Sequence, residues 1–417
     1  MSRAHFLAGI VLVATPVRAE TLQDAITAAY GSNPVLAAAR ARREALGETI
    51  EQARAEGRLS ASTEVSAGYD RLDYGRGARA TIGASLPIWT GGRVATAVHA
   101  ARAEVSAADD DLRDTEAAVL QNVVGAYADL MYFQQAVEVS RVALERLDRQ
   151  AAETQSRYDL GDATGTDVAQ LLAQRASVAA TLVDTEGALA GVAATYAMLV
   201  GHEAVRLAPA PSTLANLPGS LADARKTADT ENPLIGARRD VAEASHERIA
   251  QARAQAAPTL SIEGLYGYSR SLEEADRRGY ASAAAGGLTF RLPLLTGGLI
   301  ASRVRQAESV LRADQYEVEV AVREAVRSTD ASWATSVAAS RRLKANAEEV
   351  AAAERALKGV QAEYALNLRS TLDILLADQS LRAAQLSLAR STADALIAQA
   401  ALLRAIGRLS RSAFGNG

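Results

Sequence analysis

The chain has 417 residues, with 45 basic and 49 acidic side chains interspersed to a formal charge of -4. No basic stripe stands out, which argues against nucleic acid as a partner. Aromatic residues make up only 4% and alanine is abundant, so close packing of helices is favoured over a globular core built on aromatic side chains. Without cysteine, the chain has neither disulfides nor a site for a lipid on an N-terminal Cys.

Residues 1–19 have the pattern of a secretory signal peptide. Arg3 and His5 precede an apolar run over residues 6–14, and Val17-Arg18-Ala19 gives the small-x-small ending. A buried first helix is the alternative. Beyond residue 19 there is no apolar run of about 18 residues, which argues against a helical membrane span.

The rest of the chain consists of two similar repeats. LQDAITAAYGSNP from Leu22 recurs as LADARKTADTENP from Leu221, so that equivalent positions are 199 apart. Further along the chain the offset is 206, which pairs Pro87 with Pro293 and Gly201 with Gly407. Rare residues keep this alignment, which indicates a true internal duplication. The predicted repeats are residues 20–217 and 218–410, followed by a tail over 411–417.

Both repeats are predicted to contain the same elements: one first helix of about 35 residues, a β-hairpin and two long helices. In the first repeat the hairpin covers 59–89 and the long helices cover 94–160 and 166–200. In the second repeat the corresponding ranges are 259–294, 299–365 and 371–406.

The strands alternate between an apolar and a polar face. A soluble sandwich would show the same pattern. Strands of about ten residues match a tilted membrane span, and seven aromatic residues in or beside them suit the aromatic girdles of a membrane barrel. These residues are Tyr69, Tyr74, Trp89, Tyr266, Tyr268, Tyr280 and Phe290. The sequence therefore favours a membrane β-barrel over a sandwich.

The first long helix, over residues 94–160, contains no proline, and its one glycine is Gly125. At 1.5 Å per residue it would reach about 100 Å. Apolar residues recur every seven positions, for example at Val98, Val105, Leu112 and Val119, and the same phase returns 206 positions later. Sustained heptads indicate helices packed as a coiled coil.

SLPIWTGGR and RLPLLTGGL occupy equivalent places, where each hairpin ends and each long helix begins. We expect the prolines of these connectors to end strand pairing and their glycine pairs to let the backbone bend. The connector residues are Pro87, Gly91, Gly92, Pro293, Gly297 and Gly298.

Four strands cannot close a barrel, and open strand edges are not tolerated in lipid. Two copies would give eight strands, about the number whose interior side chains fill, whereas three copies would give twelve strands and room for a lumen. The predicted fold class is therefore mainly α, with four strands per protomer. A homotrimer would combine a 12-stranded membrane barrel with a 12-helix coiled-coil tunnel.

The chain resembles the TolC family of outer-membrane channel proteins. The resemblance is carried by Asn33-Pro34 and Asn232-Pro233, by the two connectors, and by the helical tips RYDLGDATGTDV and EYALNLRSTLDI. It implies a homotrimer with its barrel in outer-membrane lipid and its helical tunnel in the periplasm. It also implies an exit duct for type I protein secretion or multidrug efflux, recruited by a periplasmic adaptor (membrane fusion) protein and an inner-membrane ABC or RND transporter. No cofactor or metal is implied.

At the tips, the residues alone predict helix capping: Thr166 or Ser370 as N-caps, with Asp167 or Asp373 in the first turn. The resemblance implies a periplasmic gate closed by hydrogen bonds and salt bridges, with Asp373 in a constriction where a trimer would place three carboxylates. The residues assigned to this gate are Asp373, Arg369, Tyr364, Thr166, Asp167 and Tyr158.

The resemblance also implies that the tips dock the adaptor. The docking residues are Leu160, Gly161, Asp162, Ala163, Leu366, Asn367 and Leu368. Asp162 departs from the usual apolar tip. Leu376 stands where a second acidic residue is expected, so a second acidic ring is not predicted, and Asp378 falls on another face.

No constellation for catalysis is present, because His99, His202 and His246 lack metal-ligand spacing and no Gly-rich phosphate loop occurs. The chain is predicted not to be an enzyme. The alternative to a channel is an elongated periplasmic coiled-coil scaffold or adaptor with no pore. The missing lipidation cysteine favours the secretion branch over the lipoprotein efflux branch.

Overall fold

The computed structural model describes residues 19–70, 75–204, 206–271, 281–366 and 368–414. The predicted signal peptide therefore lies outside the described residues except for Ala19. The first repeat contains α1 (Leu22–Ser32), α2 (Pro34–Ala55), β1 (Ser60–Asp70), β2 (Gly75–Trp89), α3 (Arg93–Asp159) and α4 (Gly165–Val200). The second contains α5 (Leu221–Glu231), α6 (Pro233–Ala254), β3 (Thr259–Ser271), β4 (Ala281–Arg291), α7 (Leu299–Ala365) and α8 (Thr371–Ala405), before a 3₁₀ turn (Arg411–Phe414).

The four strands form one antiparallel sheet in the order β1-β2-β3-β4. The central pairing joins the two repeats, with Ile82 opposite Tyr266 on the apolar face and Ser85 opposite Glu263 on the polar face. β1 and β4 have no neighbour on their outer sides among the described strands. The protomer therefore presents two open sheet edges.

The helices lie side by side, and α3 and α7 are both 67 residues long. α3 packs against α2 and α6 over one part of its length and against α4 and α8 over another, whereas α7 packs against α5, α6 and α8. α7 thus forms one lateral edge of the protomer. Over the described residues, no helix combines the length and the apolar character that crossing a bilayer requires.

The prediction of one first helix per repeat is wrong, because Asn33-Pro34 and Asn232-Pro233 each divide it in two. The Asn33 backbone is extended (φ -70°, ψ 121°), and its Oδ1 accepts from the Val35 amide at 2.9 Å. Its Nδ2 donates to the Leu199 carbonyl at 3.0 Å, which joins the start of α2 to the end of α4. Proline at the first helical position loses no hydrogen bond.

The second repeat builds the same joint. Asn232 caps the Leu234 amide at 2.9 Å and donates to the Ala405 carbonyl at 2.8 Å, so α6 begins where α8 ends. The two helices form a nearly continuous column between α3 and α7. The repeated Asn-Pro pair is therefore a joint between helix columns.

The largest buried cluster surrounds the middle of α3 and is called here the equatorial cluster. Its side chains come mainly from α1, α3, α4, α5 and α8, with Leu36 of α2 and Ala413 of the C-terminal turn. Tyr127 at its centre is fully buried, and its hydroxyl lies 2.5 Å from the Ala208 carbonyl oxygen and 3.0 Å from that of Glu20. Burial raises the pKa of Tyr127 to about 12. The hydroxyl is thus a neutral cross-link between α3 and the chain segments wrapped around it.

Candidate functional site

The tip of the first repeat lies between α3, which ends at Asp159, and α4, which begins at Gly165. Thr164 is the N-cap of α4: its Oγ1 accepts from the Asp167 amide at 3.2 Å, and Asp167 Oδ2 accepts from the Thr164 amide at 3.1 Å. The prediction of Thr166 as N-cap is therefore wrong. An N-cap needs an extended backbone, which Thr164 has, and Thr166 lies inside the first turn.

The tip of the second repeat has the predicted cap. Ser370 Oγ accepts from the Asp373 amide at 3.3 Å, and Asp373 Oδ2 accepts from the Ser370 amide at 2.9 Å and from its hydroxyl at 2.8 Å. Arg369 donates from Nε to Glu363 Oε2 at 2.7 Å and places Nη1 3.9 Å from Asp373 Oδ1. The Ser370 hydrogen bonds and the Arg369 charge lower the pKa of Asp373, which keeps its carboxylate ionised.

Two polar contacts join the first helical hairpin to the second near the tips. Arg157 Nη1 donates to the Tyr364 hydroxyl at 2.8 Å, and its guanidinium lies 5.4 Å from the ring centroid. Further from the tip, Arg146 pairs with the buried Asp378. Sequence reasoning missed Arg146 and Arg157 as contacts across the hairpins. The only sequence feature that pointed to such a contact was that Asp378 falls on a different face of its helix from Asp373.

The predicted gate residues are brought together only in part. Over the described residues, no hydrogen bond or ion pair within the chain joins Tyr364 or Arg369 to Thr166 or Asp167. Tyr158 is exposed and lies against Gly165. Within one chain, Arg157 contacts Tyr364, and Arg369 contacts both Glu363 and Asp373.

The predicted docking residues lie at the extreme ends of the hairpins. Leu160, Leu366 and Leu368 are 79%, 69% and 70% exposed. Gly161 adopts the left-handed conformation, Asp162 is exposed beside it, and Ala163 is half-buried. Asn367 lies outside the described residues. The tips thus present apolar side chains to solvent without partners in the chain as described.

The strand-to-helix connectors show why glycine is repeated there. Gly91 and Gly92 have φ values of 62° and 85°, and Gly297 and Gly298 have 56° and 81°. These left-handed values favour glycine. A Cβ on Gly91 would also lie 2.5 Å from that of Ala257, so the connector passes close to the end of α6.

The expectation that Pro87 ends strand pairing is wrong. Pro87 pairs with Ser261 inside β2, which continues through a register shift to Trp89. β1 has already ended at the Ser60–Ser85 pair, so β2 has a neighbour on one side only and the missing amide is tolerated. Pro293 lies two residues beyond the end of β4.

Comparison with known proteins assigns the class. Residues 25–202 and 225–408 match the family described as outer membrane efflux protein. The outer membrane efflux protein BepC of Brucella suis is 29% identical, covering 100% of this chain and 91% of that protein. The alkaline protease secretion protein AprF of Pseudomonas aeruginosa is 24% identical, covering 72% of this chain and 63% of that protein.

The fold agrees with this class. The crystal structure of the outer membrane protein VceC from Vibrio cholerae superposes with a TM-score of 0.74 at 24% identity, covering 93% of this chain and 96% of that chain. The chain belongs to the outer membrane efflux protein family, which confirms the predicted resemblance. It is an outer-membrane channel protein with its helical part in the periplasm, and it is not an enzyme.

Proposed function

We propose that three copies of this chain close around one axis into a 12-stranded barrel in outer-membrane lipid and a 12-helix periplasmic tunnel. The trimer is the exit duct for type I protein secretion, multidrug efflux or both. An inner-membrane ABC or RND transporter and a periplasmic adaptor recruit it. Relatives named for efflux and for protease secretion support both cargo classes. The alternative, a scaffold without a pore, does not agree with membership of this family.

One observation carries the closure of the ring: two ion pairs between α3 and α8 have apolar equivalents at the lateral edges of the protomer. Within the chain, α3 and α8 are joined by Asp114 and Arg404, whose carboxylate and guanidinium approach to 3.3 Å. The positions 206 residues away are Val320 on α7 and Met198 on α4. These side chains are 57% and 69% exposed and lie on opposite lateral edges of the protomer.

A second pair repeats the pattern. Arg146 and Asp378 form the ion pair between α3 and α8, and their equivalents are Ala352 on α7 and the exposed Leu172 on α4. A partner subunit that presents its α4 to α7 would therefore bring Met198 to Val320 and Leu172 to Ala352. Full burial of a Val, Leu or Met side chain stabilises by about 1.5–3 kcal/mol, so the exposed Met198, Val320 and Leu172 favour association.

The charged tip supports the proposal of a gate. Asp373 is held ionised by Ser370 and Arg369, and a threefold axis would bring three such carboxylates together. A ring of carboxylates attracts cations and binds divalent cations in a narrow pore. In the same proposal, the apolar tips Leu160, Leu366 and Leu368 bind the adaptor.

Conductance in planar lipid bilayers tests this function. We expect Asp373→Ala to raise the conductance of the trimer or to weaken its block by divalent cations. Asp167→Ala removes the same kind of capping carboxylate from the other tip, and it therefore distinguishes a ring formed by Asp373 alone from a general loss of charge at the tips. If Asp373→Ala changes neither property, Asp373 has only a capping role. The absence of any channel, or of a heat-dissociable trimer in detergent, would contradict the proposed function itself.

A further inference from the structure

The internal duplication predicts the register of a strand pairing between two copies of the chain. A single chain does not contain this pairing. β1 and β3 are equivalent at an offset of 199, and β2 and β4 at 206. The pairings obey these offsets: Ser60 faces Ser85 in the first hairpin, and Thr259 faces Arg291 in the second. Equivalent hairpins therefore have identical registers, and the β2–β3 pairing is a template for a β4–β1 pairing between two copies.

The template gives definite neighbours. Within the chain, Ser85 of β2 faces Glu263 of β3. The equivalent of Ser85 on β4 is Arg291, and the equivalent of Glu263 on β1 is Glu64. In the same way, Ala84 faces Gly264 within the chain, and the equivalent residues are Phe290 and Val65.

We propose that β4 of one protomer pairs with β1 of the next in this register, so that Arg291 forms an ion pair with Glu64 of the partner subunit on the polar face. The inference rests on the proposed trimer and adds the residues that determine its register. Both side chains are exposed, and neither is in an ion pair within the described residues. Opposite charges directly across antiparallel strands attract, and like charges in the same place repel.

The apolar face agrees with the same register. Phe290 is 62% exposed and Val65 is 74% exposed, at opposite edges of the sheet. An aromatic residue opposite a β-branched residue is a favourable cross-strand pair. The equivalent junction inside the chain has only Ala84 and Gly264 there. At this position the junction between copies thus carries a larger apolar pair than the junction within the chain.

Alternative registers lose these pairs. A slip of one residue would turn every side chain to the other face of the sheet. A slip of two residues would place Arg291 opposite Ser62 or Ser66, neither of which carries a charge. Only the inferred register matches the opposite charges and the two bulky apolar side chains together. Arg291 and Glu64 therefore determine that β4 pairs with β1 of the next protomer, and in which register.

Cysteine cross-linking tests the register directly, because the chain contains no cysteine. Directly opposed residues on antiparallel strands lie within disulfide range, whereas diagonal neighbours are about 7–8 Å apart. We expect oxidation of the Glu64→Cys/Arg291→Cys variant to give covalent dimers and trimers on a denaturing gel. Glu64→Cys/Thr289→Cys, displaced by two residues on the same face, should give at least tenfold less. Ser85→Cys/Glu263→Cys should form its disulfide within one chain, without a larger species.

Charge reversal tests the ion pair. Arg291→Glu should lower the temperature at which the trimer dissociates in detergent, and Arg291→Glu/Glu64→Arg should restore it. Stronger cross-linking through position 289, or no rescue by the double variant, would overturn the register or the ion pair while the trimer remained. If the unmodified protein formed no trimer, the proposed function would fail instead. The two failures are therefore distinguishable.

Discussion

The equatorial cluster and the helical tips are built differently, although the same long helices supply both. At the equator, Tyr127 and Tyr196 are fully buried, and the Asn33 and Asn232 side chains bond to the ends of the neighbouring helix columns. At the tips, most side chains are exposed, and the two hairpins meet through polar contacts such as that of Arg157 with Tyr364 and through a small apolar cluster that includes Leu171 and Leu375. The equator is therefore anchored by buried contacts, whereas the tips have few buried apolar contacts, as regions of low local stability do.

At the equatorial joint, the backbones of two helix columns also approach closely. Gly407 has a φ of 79°, and a Cβ there would collide with the Glu231 carbonyl and lie 2.9 Å from the Asn232 Cα. Beside it, Arg408 makes two hydrogen bonds to Glu231, of 2.8 and 2.6 Å, and so lowers the pKa of that carboxyl. Rigid backbone contact and a bidentate ion pair reinforce one another at this point.

The largest effect is expected at this joint. Gly407→Ala should destabilise the fold by about 2–4 kcal/mol, because it combines left-handed strain with a clash against backbone that cannot move aside. Circular dichroism during heating would show the loss of helix at a lower temperature. Gly359→Ala is the matched control, because a Cβ there meets nothing within 4 Å inside α7. That control should stabilise by up to about 1 kcal/mol. Equal melting of both variants would contradict the role of the joint.

An intermediate effect is expected where the hairpins meet. Arg146→Leu leaves the carboxylate of Asp378 buried without its partner, at a local cost of about 1–3 kcal/mol. We expect a larger single-channel conductance with little change in the melting of the equator. Arg146→Leu/Asp378→Leu removes both charges and should return the conductance toward that of the unmodified channel. A variant with a lower melting temperature and an unchanged conductance would show that this ion pair stabilises the fold rather than the gate.

The smallest effect is expected at the cap of the first tip. Thr164→Ala should weaken the start of α4 by about 1 kcal/mol, because it removes the hydroxyl that accepts from the Asp167 amide. Thr166→Ala should change stability by less than about 0.5 kcal/mol. Hydrogen exchange of the amides in residues 164–168 would measure both. Faster exchange in the Thr166 variant than in the Thr164 variant would refute the cap.

Much of this architecture was predictable because its signals are local and repeated. The strand alternation, the proline-free helices and the Thr-Gly-Gly connectors each occur twice in alignment, and the structure has a hairpin and two long helices in each repeat. Ser370 was predicted as a cap from residues within three positions of it. The prediction of Thr166 failed although the signal was local: Thr164 precedes Asp167 by three residues, the same spacing as Ser370 to Asp373.

The division of the first helices could have been predicted from the residues. Asn33-Pro34 and Asn232-Pro233 mark these boundaries, because a proline disfavours a helical conformation in the residue before it. Arg146 and Asp378 had no comparable signal. They are 232 positions apart, and each is an ordinary charged residue in a helix.

By itself the sequence determined the duplicated plan, the lengths of the long helices, the two faces of the sheet and the family. These properties follow from periodicity and from rare residues kept at fixed spacing. Only the tertiary structure decided that Asn33 would bond to the end of α4, 166 positions away, and which charges pair inside the chain. Such contacts join residues whose proximity depends on how whole helices lie together, and no local pattern encodes that arrangement.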